Sequence, residues 1–187
     1  MGKEQPAKYY DTIYLKSEAY KTHWSKSRYV KLWEAVLNEI DLKAPIIDVG
    51  CGPGQFANMC AEKGCVDYFG LDFSEQAINS AKILNHDFKA LNFHQCDIFK
   101  VDYAAENNCQ FIMLEVMEHI EKDLEFLAKL KKDNEGKKIV ITVPTFDDAG
   151  HARYFKTEKE WVHRFSSSIN IIKSKTIGPW ILIVAKI

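Results

Sequence analysis

Ile46-Ile47-Asp48-Val49-Gly50-Cys51-Gly52-Pro53-Gly54-Gln55-Phe56-Ala57 is the stretch that decides how this chain folds. A β-branched apolar run passes directly into three alternating glycines and then into a helical pattern, so a buried strand should turn sharply into a helix. Glycine lets the backbone reverse tightly and approach a ligand closely, while the first turn of the following helix offers free N–H groups. That combination is a nucleotide-type site. In an open α/β sheet such a ligand lies across the carboxyl ends of the strands, so functional residues should follow each strand.

Outward from this segment the pattern repeats. Ala44 to Val49, Val66 to Phe73, Phe93 to Ile98, Cys109 to Val116 and Lys137 to Pro144 are short, apolar and closed by Gly, Asp, Asn or Pro, as strands buried on both faces should be. Helical patterns lie between them. These are Gln55 to Lys63, Ser74 to Leu84 with Ser74 as N-cap, and Glu118 to Lys132 with Leu124, Leu127 and Leu130 facing inward. Strand alternating with helix predicts a parallel sheet wrapped on both sides. The tail departs from that rhythm, because Ile169 to Ile172 and Trp180 to Ile187 are joined by Lys173 to Pro179, which reads as a reversing connection. The expected architecture is an α/β, Rossmann-like three-layer sandwich, a mostly parallel seven-stranded sheet with a C-terminal antiparallel hairpin.

A further helix is expected over Ser27 to Ile40, with Trp33, Leu37 and Ile40 on one face and Ser25 or Ser27 as its cap. Before it, Tyr9 to Trp24 is aromatic and basic without clear periodicity. No repeat, low-complexity tract or linker interrupts the chain. One domain over 1–187 is therefore expected, with 1–43 as an N-terminal helical cap and 44–187 as the core.

Composition bounds the partners. The 187 residues are 47% hydrophobic, enough for a sizeable core, and 25 Lys and Arg nearly balance 26 Asp and Glu, so no global field draws the chain onto nucleic acid or anionic lipid. The longest apolar runs fall far short of the roughly 20 residues that cross a bilayer, and the first six residues carry no signal-like apolar segment. A cytoplasmic location, as a monomer or homodimer, is expected. Cys51, Cys60, Cys65, Cys96 and Cys109 contain no C-x-x-C pair and read as reduced thiols.

Two acidic residues discriminate between nucleotides. Asp72 ends the second strand roughly 20 residues past the loop, where a carboxylate accepts from both ribose hydroxyls in nicotinamide and adenosyl sites alike. The dinucleotide fingerprint, however, wants glycine where this chain has Gln55, and Asp48 would set negative charge near a pyrophosphate. A cationic ligand suits the loop better.

Asp48-Val49-Gly50-Cys51-Gly52-Pro53-Gly54 resembles the first motif of class I S-adenosylmethionine-dependent methyltransferases, and the resemblance continues in order from roughly Ile46 to Val143. Phe69 to Ser74 is similar to the second motif, Cys96-Asp97-Ile98 to the third, and Leu114 to Ile120 to the fourth. The resemblance implies that Gly50, Gly52 and Gly54 border the methionine part, that Asp48 supports its amino group, and that Cys51 and Phe56 also belong to the cofactor site. It implies further that Asp72 holds the ribose, that Phe73 and Ile98 pack on the adenine, that Asp97 accepts from the adenine amino group, and that Glu115 lies beside the sulfonium. Some readings stay open: Asp97 alone could be an ordinary strand-end cap, Phe73 and Ile98 core residues, and Cys51 a small filler.

Methyl transfer from a sulfonium is an in-line displacement, so the protein must position, exclude water and sometimes remove a proton. His119, aided by Glu118, is the expected proton acceptor, although it could instead only orient its turn. Glu115, Glu118, His119 and the later His151 could alternatively converge on a divalent metal. This E-x-x-E-H pattern is similar to that of the small-RNA terminal 2′-O-methyltransferases and the ubiquinone-pathway O-methyltransferases, in which a metal would lower the acceptor hydroxyl's pKa. The same Glu-His pair also occurs in relatives that need no metal. Tyr14, Tyr20, Trp24, His151 and Arg153 are expected substrate contacts, with the N-terminal aromatics as a lid over the cofactor. The expected activity is transfer of a methyl group to a small molecule, at oxygen, leaving S-adenosylhomocysteine. The alternatives are an RNA-directed, metal-using enzyme and a non-catalytic adenosylmethionine-binding protein.

Overall fold

The structure is a computed structural model that describes residues 2–104 and 108–187. All seven expected strands form, and the fold class is the expected one: a mostly parallel seven-stranded sheet with helices around it and an antiparallel hairpin at its C-terminal end. The described residues group into two compact units, Pro6–Val101 and a second made of 2–5, 102–104 and 108–187. No helix among them is long and apolar enough to cross a membrane.

In the unit Pro6–Val101, β1 (Ile46–Val49), β2 (Tyr68–Asp72) and β3 (Leu91–Gln95) are parallel, with Ile46 opposite Tyr68 and Tyr68 opposite Leu91. The amides of Gly50 and Cys51 both donate to the Leu71 carbonyl, at 2.7 and 3.0 Å, which ends β1 beside the end of β2. Gly54 then takes a left-handed φ of 76° and α3 (Gln55–Glu62) begins. A Cβ at Gly54 would lie 2.8 Å from the Ala81 Cβ, so glycine here serves conformation and packing together. α4 (Glu75–Leu84) starts where expected, the Ser74 hydroxyl accepting from the Ala77 amide. The aromatic stretch before β1 is ordered as α1 (Ala7–Lys16), two 3-10 turns at Glu18–Tyr20 and Trp24–Lys26, and α2 (Val30–Leu37). α2 is shorter than expected and buries Leu32, Trp33 and Val36 instead of Leu37 and Ile40. Ser27 caps only by accepting from the Tyr29 amide, at 3.2 Å.

In the second unit β4 (Gln110–Leu114) runs parallel to β5 (Lys138–Pro144), and β7 (Trp180–Lys186) is antiparallel to both β5 and β6 (Asn170–Ile177). The hairpin is tighter than the sequence suggests. Lys173 to Ile177 is strand, and only Gly178-Pro179 reverse the chain. The reason is physical: β6 is an outer strand with little buried surface, so Lys173, Ser174, Lys175 and Thr176 look like a loop while serving as a charged edge.

The helix expected from Glu118 begins only at Asp123, as α5 (Asp123–Asn134), and buries Phe126, Leu127 and Leu130 while Leu124 is partly exposed. Its missing first turn has a cause. The amides of Ala152 and Arg153 donate to the Glu118 carbonyl at 2.8 and 3.1 Å, and the Arg153 guanidinium donates to the carbonyls of Met117, Ile120 and Glu121. Those acceptors are what a continuing helix would have used. Asp123 then receives a bidentate contact from Arg164 at 2.8 and 3.1 Å and an ion pair from Arg153 at 3.1 Å.

α6 (Glu158–Phe165) opens with a complete capping box between Thr157 and Glu160 and buries Trp161 and Phe165. The Trp161 indole donates to the Pro144 carbonyl at 2.9 Å. Because this ring is fully buried and its N–H is paired, Trp161→Ala should cost about 3–5 kcal/mol, read by urea denaturation.

Candidate functional site

The glycine loop is held by a carboxylate. Asp72, at the end of β2 and 5% exposed, accepts from the Gly52 amide with Oδ2 and from the Ser74 amide with Oδ1, both at 2.9 Å. One side chain thus joins the loop to the start of α4. Burial pushes the Asp72 carboxyl up to about 6, opposed by these amide donors and reinforced by nearby Asp11.

Asp48 is 2% exposed at the loop's upstream edge. Its Oδ2 takes the Tyr68 hydroxyl's hydrogen bond, and its Oδ1 is buried with no hydrogen-bond partner. Burial raises this carboxyl to about 7, the Tyr68 bond lowering it and Asp72 adding to the rise. A buried, half-satisfied acid beside glycine N–H groups suits a ligand that brings a cationic donor. An amino-acid ammonium is such a donor, so the residues present fit adenosylmethionine.

The other expected cofactor residues divide. Cys51 is buried, its Sγ 3.6 Å from the Gly52 carbonyl, and a Cβ at Gly70 would lie 2.9 Å from it; it fills the loop. Gly50, Gly52 and Gly54 all hold positive φ. Phe56 is 4% exposed and packs on Trp33 at 6.0 Å between ring centroids, which makes it core. Phe73 instead meets Tyr10 at 5.4 Å. Asp97 lies beyond β3, which ends at Gln95, and its side chain is 47% exposed. It accepts from the Phe99 amide at 3.0 Å and pairs with Lys100 at 3.3 Å, capping its own turn, with Ile98 half-buried beside it.

Of the expected substrate aromatics in this unit, Tyr14 comes nearest the loop: its hydroxyl would lie 3.5 Å from a Cβ built on Gly52. Burial and the neighbouring Asp72 hold its phenol well above the usual range. Tyr20 packs edge-on against Tyr14 at 5.1 Å. Trp24 is committed elsewhere, donating to Glu62 at 2.8 Å.

Two contributors went unnoticed in the sequence. Tyr68 shares one face of β2 with Gly70 and Asp72 by the two-residue strand period, a signal that could have found it. Asp11 accepts from the Ser74 hydroxyl at 2.6 Å and the Gln76 amide at 3.2 Å, adding negative charge at the start of α4. Nothing local in the α1 sequence announces that role.

The second unit carries a separate cluster. Glu118 (1% exposed), His119 and His151 each offer a ligand atom within 4.8 Å of the others. The four-residue set expected from the sequence is reduced to three. Glu115 has a strained φ of 60° and is tied to Thr142, whose hydroxyl donates to its carboxylate at 3.0 Å. Both Glu118 oxygens are buried without a hydrogen-bond partner, and burial followed by Glu115 raises its carboxyl well above the ordinary range. The Nε2 of His119 lies 3.7 Å from Glu118, and its Nδ1 is 2.8 Å from the Gly150 carbonyl. Burial lowers the His119 pKa to about 4, so the ring is neutral at pH 7, with Nδ1 protonated toward that carbonyl. The His151 ring meets His119 edge-on at 5.0 Å. Arg153 is 9% exposed and occupied by carbonyls and Asp123, which gives it the work of shaping this turn in place of substrate pairing.

The raised carboxyls make a sign prediction. Asp48 is protonated more readily in the folded chain than in the unfolded one, so its burial costs stability as pH rises from about 4 through 7. Asp48→Asn should melt above the wild type at pH 8, with the difference shrinking to nothing below about pH 4, measured by calorimetric scanning without ligand.

Residues 40–178 match the family model of a methyltransferase domain. No curated protein matches the chain. Among solved structures, a SAM-dependent methyltransferase from Aquifex aeolicus is similar with a TM-score of 0.70 and 16% identity, covering 97% of this chain and 98% of that one. A complex of the Haloferax volcanii Trm112 methyltransferase activator with a methyltransferase candidate matches at 0.75 and 13%, covering 95% and 96%. The [4+2]-cyclase SpnF matches at 0.77 and 12%, covering 100% and 98%. At such identities these structures show the fold. The family match spans most of the chain and coincides with the glycine loop and its two buried acids, and this chain belongs to the methyltransferase domain family, with S-adenosylmethionine as its cofactor.

Proposed function

We propose that this protein transfers the methyl group of S-adenosylmethionine to the oxygen of a small-molecule acceptor in the cytoplasm, as a single methyltransferase domain. The observation that carries the reading is the buried Glu118 carboxyl, without a hydrogen-bond partner and 3.7 Å from His119. Such a pair suits a ligand hydroxyl, which can donate to one group and accept from the other. The short connection after β4, between Leu114 and Asp123, supports a small acceptor, since it supplies little surface with which to enclose a macromolecule.

When bound, the cofactor supplies an electrophilic methyl group on a positively charged sulfur. The chain's own residues bind and orient. The Asp48 carboxylate accepts from the ligand's ammonium, while Asp72 keeps the Gly52 amide in place and presents its oxygens to the ribose. At the acceptor, His119 Nε2 takes the hydroxyl proton, its Nδ1–H held on the Gly150 carbonyl so that the ring cannot turn. Glu118 then faces an imidazolium in place of a neutral ring, and that charge favours its carboxylate form.

One specific observation favours a second reading, in which a divalent metal holds the acceptor oxygen. Glu118 presents two unpaired oxygens, the Nδ1 of His151 is buried and unpaired, and His119 is oriented through its other nitrogen, as metal-ligating histidines are. Three ligands with open positions match a catalytic site.

Incubating the protein with methyl-labelled cofactor and separated cell fractions tests the acceptor: label should enter the small-molecule fraction, and label in RNA or protein instead would overturn that part of the reading. On the acceptor so found, His119→Ala should lower kcat by about 10²–10⁴-fold with little change in cofactor affinity. Activity should survive exhaustive chelation; loss on chelation, restored by a divalent ion, would establish the metal reading in its place.

A further inference from the structure

Gln55 stands where a dinucleotide loop would carry glycine, and the structure shows what its side chain does. It is the first residue of α3, directly after Gly54, and is 4% exposed. Its carboxamide nitrogen donates to the Ala19 carbonyl at 3.1 Å and the Thr22 carbonyl at 2.6 Å. Both acceptors are carbonyls, so the contacting atom must be the nitrogen, and its two protons are accounted for.

Those carbonyls belong to the turn that carries Tyr20. Tyr20 packs edge-on against Tyr14, and the Tyr14 hydroxyl sits over Gly52. A short chain of contacts therefore runs from Gln55 through the 19–22 turn and the two tyrosines back to the loop from which α3 springs. Two more exposed ties hold the same segment. Glu62, seven residues after Gln55 along α3, takes His23 and Trp24, each at 2.8 Å, and Asp11 takes the Ser74 hydroxyl. Of the three anchoring side chains Gln55 alone is fully buried and adjoins the glycine loop.

We propose that Gln55 is a positioning residue for the cofactor: by clasping the 19–22 turn it keeps Tyr14 and Tyr20 over the glycine loop and sets how long the cofactor stays bound. This rests on that loop being the adenosylmethionine site. A ligand lying beneath the tyrosines leaves only when the 19–22 turn lifts, and the turn lifts only when both Gln55 bonds break. The Gln55 carboxamide is spent on the 19–22 turn, so its effect falls on cofactor release, not on chemistry.

The test uses Gln55→Leu, which keeps the bulk but donates nothing, and Gln55→Glu, which keeps the shape and sets a carboxylate against two carbonyls. Dissociation of S-adenosylhomocysteine, followed by stopped-flow displacement, should quicken about tenfold in the first variant and more in the second, the size of one or two lost neutral hydrogen bonds, with association changed less than about threefold. Trypsin cleavage of the ligand-free protein at exposed Lys16, Lys21 and Lys26 should quicken in parallel. Dissociation within twofold of wild type in both variants would overturn the proposal, as would a fall in melting temperature with unchanged release and cleavage, the mark of a merely structural residue. If the wild type bound no S-adenosylhomocysteine, the cofactor assignment would fall, and the ligand-free cleavage rates would still decide whether the clasp exists.

Discussion

The hydrogen bond from the Gly52 amide to the Asp72 carboxylate is the constraint on which the rest depends. A loop with three left-handed glycines has a large conformational freedom to lose, and no side chain of its own with which to lose it. Asp72 restrains it from the neighbouring strand, while its other oxygen holds the Ser74 amide that opens α4. The same carboxylate thus shapes the loop and sets the start of the helix beside it. Burying it costs enough that its pKa rises to about 6, a cost that local folding alone would not sustain.

That cost makes sense as preorganisation. Asp48 and Asp72 are both buried and both shifted upward, chiefly by burial, with Asp72 adding to the rise at Asp48 and Asp11 to the rise at Asp72. A ligand bearing positive charge relieves them, so stability given up by the ligand-free protein returns as affinity. Glu118 and His119 follow the same logic in the second unit, with one pKa pushed up and the other down by burial. Opposed shifts in adjacent groups follow from burial, which disfavours the charged form of an acid and of a base alike.

The fold was legible because its signals are periodic or steric. Strands buried on both faces show as unbroken apolar runs, the Ser74 cap needs only the hydroxyl's position, and positive φ after β1 admits little but glycine. What escaped depends on partners distant in sequence. The first turn of α5 was lost to the guanidinium and amides of residues 152 and 153, some thirty residues on. The Lys173 to Ile177 part of β6 looked like a loop because an edge strand buries too little to show its period. Asp48 and Asp72 in one unit, and Glu118 and His119 in the other, could be found because their residue types announce chemistry. Tyr68 was open only to the strand period it shares with Asp72, and Asp11 and the clasp of Gln55 could not be found, since an aspartate in α1 or a glutamine in α3 takes its role only from the group that tertiary folding sets against it. Glu115 shows the converse: a ligand-like spacing was undone by Thr142.

The most direct test of the account is isothermal titration of the purified, folded protein with S-adenosylhomocysteine, wild type beside Asp72→Asn. The account predicts one molecule bound per chain by the wild type and binding weakened at least about a hundredfold in the variant, which loses both the loop's restraint and its charged acceptor. Equal binding by the two proteins would contradict it, for the glycine loop would then owe nothing to the carboxylate on which this structure makes it depend.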